Sequence, residues 1–279
     1  MEKLTQGIFT GERALFKAQD LSITDSIFDD GESPLKESRN IEVADSSFKW
    51  KYPLWYSRDI RVERCLFFEM ARAGIWYTSD ISMKDIVFEA PKAFRRCLGL
   101  QLENVTFHNA SETLWNCSGI SLRNVTARGD YFAMGSSNIK ADNLELVGNY
   151  GFDGCEDVEI SGARLLTKDA FWNCRNVTVR DSVIVGEYLG WNSENVTFIN
   201  CTIESLQGMC YMKNVVMKDC KLINTTLSFE YSTADAQIVN TIDSVKNPSG
   251  GVIRAKAIKE LIMDENDVYI NATWIITEE

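Results

Sequence analysis

The amino-acid sequence predicts an all-β solenoid, in which the short strands of successive coils stack on one another. One pattern recurs eleven times between Asp20 and Asn214, at intervals of 19 to 21 residues. Each copy places an Asn, Asp or Gly, here called the corner residue, before an apolar residue, any residue and a second apolar residue. A fixed period near twenty residues is typical of repeat proteins, whose units bury their apolar faces against their neighbours.

Four positions of the repeat are apolar in almost every copy. They lie five before, one after, three after and eight after the corner residue, and the one exception is Gly190. The positions two and four after it carry polar residues such as Glu42, Arg61 and Lys140. This alternation has a period of two, which predicts a short β-strand. A leucine-rich repeat is disfavoured, because no helical stretch follows the strand.

Two polar positions mark the turns of each predicted coil. One is the corner residue, and the second corner residue lies five positions later, as at Asp25, Asn104 and Gly162. Asn, Asp and Gly tolerate left-handed backbone. Two corners and one variable loop predict three short strands per coil of about 19–20 residues. We expect one domain over residues 1–279, with regular coils over 11–222 and imperfect coils with an irregular C-terminal cap over 223–279.

The charge and the remaining motifs exclude several classes of function. A net charge of −11 disfavours nucleic acid, and no apolar run is long enough for a membrane helix. The N-terminus does not resemble a signal peptide, and this predicts a cytoplasmic protein. The protein is expected to be a monomer or a homo-oligomer. His108 is the only histidine, and phosphate-binding loops, CxxC pairs and EF-hand loops are missing. We therefore expect no cofactor and no metal site.

Seven of the eight cysteines share two positions of the repeat. Four lie two residues before the corner residue and three lie six residues after it: Cys97, Cys117, Cys155 and Cys174, and Cys65, Cys201 and Cys220. This placement follows the fold and not a metal-ligand spacing. It predicts small buried thiols in a reducing compartment.

The coil pattern resembles that of right-handed parallel β-helices such as pectin lyases and polygalacturonases, and this resemblance implies the right hand. Several longer phrases are similar to an uncharacterised bacterial family, domain of unknown function 3737, over nearly the whole chain. They include GERALF (11–16), FKWKYPLWYS (48–57), FFEMARAGIWYT (67–78), GDYFAMGSSNI (129–139) and KDAFWNC (168–174). The resemblance supports the fold and implies no particular chemistry.

Tryptophan recurs at the position four before the corner residue, which also holds Lys36, Arg95 and Asp153 and is therefore predicted to face outward. We call the following set the aromatic row: Trp55, Trp76, Arg95, Trp115, Trp172 and Trp191. Flat rings along a groove suit stacking on sugars, so these residues are candidate substrate-binding residues. Two alternatives stay open, namely a protein interface and a second small core covered by the variable loops.

Acidic residues gather beside the middle of the aromatic row. Asp130, Asp153 and Asp169 are candidate catalytic residues, because glycoside hydrolysis uses two carboxyl groups about 5–9.5 Å apart and neighbouring coils supply such spacings. A lyase would instead use a base such as Arg95, Arg96 or Lys168. The alternative is an ordinary solvated acidic surface.

Together these features predict a cytoplasmic β-helix protein that binds or processes carbohydrate along the aromatic row. If it is an enzyme, it is of the glycoside hydrolase or polysaccharide lyase type. The alternative function is a non-catalytic scaffold or protein-interaction module that uses the same row.

Overall fold

The computed structural model describes residues 1–264 and 273–278, and it confirms the all-β solenoid. The chain forms two compact units, residues 1–140 and residues 141–279. Each is a parallel β-solenoid with about 19 residues per turn. Apart from a 3₁₀ turn at Glu69–Ala71, the described residues form no helix, and no helix there could cross a membrane.

Three successive coils of the first unit each contain one six-residue strand and one two-residue strand, and single longer strands replace these pairs in the later coils. The strands are β1 (Glu2–Thr5), β2 (Ile8–Phe9), β3 (Gln19–Thr24), β4 (Ile27–Phe28), β5 (Arg39–Ala44), β6 (Ser47–Phe48), β7 (Arg58–Glu63), β8 (Leu66–Phe67), β9 (Ile75–Trp76), β10 (Ser79–Phe88), β11 (Phe94–Arg95), β12 (Leu98–Phe107) and β13 (Ser118–Arg128), and β14 (Ser137–Val147) begins here. Equivalent residues of successive coils lie side by side, as Leu21, Ile41 and Ile60 do.

The second unit, in which β14 ends, has parallel strand pairing of the same kind. Its further strands are β15 (Glu156–Ser161), β16 (Arg164–Leu166), β17 (Arg175–Arg180), β18 (Val183–Glu187), β19 (Glu194–Ile199), β20 (Thr202–Leu206), β21 (Lys213–Leu222), β22 (Thr233–Ile238), β23 (Ile242–Lys246), β24 (Gly250–Ala255), β25 (Ile258–Ile262) and β26 (Thr273–Thr277). Beyond β21 the spacing becomes irregular, since Ala234 lies beside Gly251 and Gly251 beside Thr273. Residues 265–272 and 279 of the predicted cap lie outside the described residues.

Left-handed backbone occurs at both predicted corners of every regular coil. All eleven corner residues have positive φ, and so do all eleven second corner residues, including Arg64 at 48°. Asn side chains bridge successive corners, as where Asn195 Nδ2 donates to Asn176 Oδ1 at 3.1 Å. The corners thus follow from residue types that adopt this conformation at low cost.

The third strand of each coil is mostly replaced by turns. Left-handed residues recur seven and three positions before the corner residue, as at Tyr52 (φ 62°) and Tyr56 (φ 56°). They interrupt the extended backbone, so a regular third strand forms only at β9 and β11 among the described residues. The turns still bond to one another, for example from the N–H of Leu35 to the carbonyl of Pro53 at 3.0 Å.

The core is built from ladders of identical residues, because each coil repeats the register of the one before. In the first unit, the rings of Phe28, Phe48, Phe67, Phe88 and Phe107 stack with centroids 4.4–4.9 Å apart. All five are buried. Ring pairs at such distances add about 0.5–1.5 kcal/mol to the free energy gained by burial.

Four of the eight cysteines take part in a buried ladder of small polar residues two positions before the corner residue. Ser193 Oγ accepts a hydrogen bond from the N–H of Cys174 at 2.8 Å and donates to the carbonyl of Phe171 at 2.6 Å. Cys174 Sγ makes the equivalent contact to the carbonyl of Phe152 at 2.9 Å. All eight cysteines are free and buried, and burial raises the pKa of the Cys174 thiol to about 12. The prediction of buried thiols is confirmed.

We predict that Ser193→Ala lowers the free energy of unfolding by about 1–3 kcal/mol, because it leaves the Cys174 amide without its buried acceptor. Ser193→Cys should cost less, since sulfur already fills the equivalent position at Cys174. Urea-induced unfolding measures both changes. Equal losses for the two variants would contradict the proposed equivalence of thiol and hydroxyl.

Candidate functional site

In the first unit the aromatic row forms a continuous stack. The rings of Trp55 and Trp76 are parallel within 9°, with centroids 5.1 Å apart. The Arg95 guanidinium follows, 4.5 Å from the Trp76 centroid and 5.0 Å from the Trp115 centroid. Glu112 Oε2 holds Arg95 Nη2 at 2.9 Å. Arg95 therefore takes the place of a ring, through cation–π contacts on both of its faces.

Four of the five indole N–H groups of the aromatic row donate hydrogen bonds to the backbone of the chain itself. Each contact runs to the backbone carbonyl of a left-handed residue in the next coil, and sequence reasoning missed these bonds. They join Trp55 to Ala73 at 2.5 Å, Trp76 to Lys92 at 3.0 Å, Trp172 to Tyr188 at 2.7 Å and Trp191 to Gln207 at 3.2 Å. These tryptophans are half-buried, so they stabilise the turns in addition to any role in binding.

Stacking along the row determines which parts of the rings can meet a ligand. Trp76 is covered by Trp55 on one face and by Arg95 on the other. In the second unit, Trp172 and Trp191 stack with centroids 5.5 Å apart. Sugars pack on ring faces, whereas a stacked ring offers solvent mainly its edge. The row in the first unit is therefore no continuous platform for sugar faces.

Asp169 is the most unusual ionisable residue of the second unit. Its side chain is 3% exposed, and Oδ1 has no hydrogen-bond partner among the described residues. Tyr150 hydrogen-bonds the same carboxyl group. Burial is the main cause that raises the pKa of Asp169, and the negative charges of Glu187 and Asp153 act in the same direction. A buried polar atom without a partner costs about 1–3 kcal/mol, and such atoms are rare outside functional sites.

Charged and aromatic side chains surround Asp169. Lys168 Nζ lies 3.1 Å from Glu187 Oε2 and 5.5 Å from the Tyr188 ring centroid. Asp153 Oδ1 accepts a hydrogen bond from Asn173 at 3.0 Å. The Tyr150 and Trp172 rings meet edge-on, with centroids 5.9 Å apart. We call the following residues the acid–aromatic cluster: Tyr150, Asp153, Lys168, Asp169, Trp172 and Glu187.

Two of the three predicted catalytic carboxylates belong to this cluster. Asp153 and Asp169 interact through their charges, whereas Asp130 lies in the first unit, where its carbonyl accepts the N–H of Glu112 at 2.9 Å. Sequence reasoning missed Tyr150. It precedes Asp169 by one repeat and occupies the same left-handed position. A comparison of the residues seven before each corner residue would therefore have identified it.

Three further sequence candidates, Arg95, Arg96 and His108, belong to the first unit. Arg95 is held between two tryptophans and Glu112, and Arg96 lies over the Tyr77 ring at 5.8 Å. His108 Nδ1 is 2.7 Å from Glu89 Oε1 at the surface of the first unit. Within residues 1–264 and 273–278, no three His, Cys, Asp or Glu side chains are placed to hold a metal ion.

The fold places this chain among the parallel β-helix proteins, whose coils stack short parallel strands. It belongs to the family described as protein of unknown function (DUF3737), whose model matches residues 2–276. A search of curated proteins finds no match to the chain.

Solved structures show a general similarity of fold. The A-module of mannuronan C-5 epimerase AlgE6 from Azotobacter vinelandii is 13% identical, with a TM-score of 0.37, and the match covers 99% of this chain and 90% of that chain. The surface adhesin PfbA of Streptococcus pneumoniae is 9% identical, with a TM-score of 0.36, and coverages of 94% and 81%. At these values the similarity carries no functional argument.

We predict that Asp169→Asn stabilises the protein at neutral pH by about 1 kcal/mol or more, because it removes a buried charge that lacks a full set of partners. Asn also tolerates the positive φ of 58° at this position. The folded-state pKa of Asp169 is raised above its ordinary value of 3.8. Its contribution to stability is therefore fully present below 3.8 and is lost as the pH rises through the folded-state pKa.

Thermal unfolding across this pH range tests the prediction, and Asp181→Asn serves as the control. Asp181 is an exposed second corner residue of the same unit, and Asn200 fills the equivalent place one coil later. The wild type and the control should lose stability as the pH rises through the Asp169 pKa, and Asp169→Asn should lose less. An Asp169→Asn variant that is less stable than the wild type at neutral pH would contradict this account.

Proposed function

We propose that this protein binds carbohydrate at the acid–aromatic cluster of its second unit. The observation that carries the proposal is the Asp169 carboxyl oxygen, which is buried and has no partner among the described residues. The folded chain keeps this atom at a cost in stability, as proteins do at binding and catalytic sites. The proposal moves the site from the whole aromatic row to one end of it.

Carbohydrate suits the mixture of side chains in the cluster. Sugar hydroxyls supply hydrogen-bond donors for Asp169 and Asp153, and the apolar faces of sugar rings pack against Tyr150 and the face of Trp172 that Trp191 does not cover. Polar groups in fixed positions beside aromatic rings are typical of small-molecule sites. We place the protein in the cytoplasm as part of the same proposal.

The two carboxyl groups also allow processing of the bound sugar. A carboxyl group with a raised pKa serves as a general acid, and a second carboxylate serves as the base or nucleophile. Asp169 has the raised pKa, through burial, and Asp153 interacts with it. If the protein is an enzyme, glycoside hydrolysis is the reaction that this pair supports.

A glycan panel monitored by tryptophan fluorescence tests carbohydrate binding. We predict a saturable response that Asp169→Asn and Trp172→Ala reduce about tenfold in affinity or more, because a hydrogen bond to a charged group contributes about 1.5–3 kcal/mol. Trp115→Ala, at the same repeat position in the first unit, is the matched control and should retain binding. No response to any glycan, or a response that depends on Trp115 and not on Asp169, would contradict the proposal.

A second candidate function rests on the first unit. Tyr56 and Tyr77 are 51% and 36% exposed, and their rings stack within 4° with centroids 4.8 Å apart. Lys36 Nζ lies 5.6 Å from the Tyr56 centroid, and the Arg96 guanidinium 5.8 Å from that of Tyr77. Exposed tyrosine edges beside cations are typical of protein interfaces. This surface favours a protein-interaction module, and self-association is the form tested first.

Light scattering at increasing protein concentration measures self-association. We predict that an oligomer, if held by this surface, dissociates at least about tenfold more readily in the Tyr56→Ala, Tyr77→Ala double variant, because tyrosines at interface centres often contribute 2 kcal/mol or more. Asp169→Asn lies in the other unit and should leave the oligomer unchanged. A monomer at every concentration, or an oligomer indifferent to both tyrosines, would contradict self-association here.

A further inference from the structure

We infer that the acid–aromatic cluster selects an amino sugar, whose ammonium group binds between Asp153 and Asp169. This inference rests on the proposed function and narrows its ligand class. It depends on which hydrogen-bonding groups the cluster leaves unused and on the sign of its charge.

The unused hydrogen-bonding capacity of the cluster consists of acceptors. Asp169 Oδ1 has no donor among the described residues. The Asp153 carboxylate receives one donor from them, Asn173 Nδ2 at 3.0 Å from Oδ1. A ligand that completes this site must supply N–H or O–H donors. An ammonium group is the most complete match, since it carries three donors and accepts nothing.

The charges of the cluster favour a cation over an anion. Its carboxylates are Asp153, Asp169 and Glu187, and its one cation is Lys168. Lys168 is already bound to Glu187 at 3.1 Å and lies over the Tyr188 ring. It is therefore not available to neutralise an incoming carboxylate. A uronate would place a further negative charge beside Asp169, whereas an ammonium group would relieve the repulsion between Asp153 and Asp169.

The two carboxyl groups influence each other's charge, which favours a ligand that is a cation. Asp153 lies four residues before the corner residue of its coil, and Asp169 lies seven residues before that of the next coil. They interact electrostatically in the folded protein. Because Asp169 is 3% exposed, binding includes a displacement of covering side chains. The Lys168 and Glu187 side chains are 48% and 46% exposed, and we assign the displacement to this ion pair.

The test uses β-1,4-linked tetrasaccharides that differ mainly at carbon 2 of each ring: glucose, glucosamine and N-acetylglucosamine tetramers. A galacturonic acid tetramer provides the anionic comparison. Isothermal titration below the pKa of the amine measures the affinities for the full chain. We expect glucosamine to bind about tenfold tighter than glucose or N-acetylglucosamine, as for a charge-assisted hydrogen bond, and the uronate to bind most weakly.

Three protein variants assign the selectivity to the cluster. Asp169→Asn should weaken glucosamine binding more than glucose binding, so that the two affinities become similar. Asp153→Asn should also weaken glucosamine binding. This variant provides the test if Asp169→Asn fails to fold. Asp181→Asn removes one charge at a corner of the same unit and should change neither affinity.

The outcomes separate this inference from the proposed function. Stronger binding of the uronate or of neutral glucose through Asp169 would overturn the amino-sugar inference and leave carbohydrate binding intact. A preference for glucosamine that survives both Asp169→Asn and Asp153→Asn would overturn the assigned position of the ammonium group. Absence of binding to all four tetrasaccharides and to the glycan panel would overturn the inference together with the proposed function.

Discussion

In-register stacking of successive coils is the constraint on which the rest of the structure depends. Left-handed backbone at fixed positions returns each coil to the same register, so that every side chain lies beside its counterpart one coil away. Phenylalanine therefore stacks on phenylalanine and asparagine bonds to asparagine. The buried thiol of Cys174 follows the same rule, since it makes the contact to a backbone carbonyl that the Ser193 hydroxyl makes one coil later.

The same constraint changes the meaning of the aromatic row. Rings at equivalent positions of neighbouring coils must stack on one another, and their N–H groups reach the turns of the next coil. The row therefore contributes to stability, and its covered faces are unsuited to sugar stacking over the first unit. Arg95 preserves the stack without being a ring, since its planar guanidinium lies between two tryptophans.

The best candidate for function lies where a position of the repeat holds an unusual residue. Most residues seven before the corner residue are at least partly exposed, but Asp169 at this position is buried beneath neighbouring side chains. Its neighbours one coil away are Tyr150 and Tyr188, and only Tyr150 bonds its carboxyl group. One oxygen of Asp169 is left without a hydrogen-bond partner among the described residues. The ammonium group of the proposed ligand supplies a hydrogen-bond donor to this oxygen.

The sequence by itself determined the period, the apolar positions and both polar corners, because these depend on residue types that each coil repeats. It also placed Asp153 and Asp169 among the candidate catalytic residues. Further left-handed positions were not evident, since residues such as Tyr52, Lys92 and Glu112 occupy many of them. Only the tertiary structure decided which faces of the tryptophans are covered and that Asp169 is buried with an unpartnered oxygen. These properties depend on side chains from neighbouring coils, about nineteen residues away in the chain, whose approach no local pattern specifies.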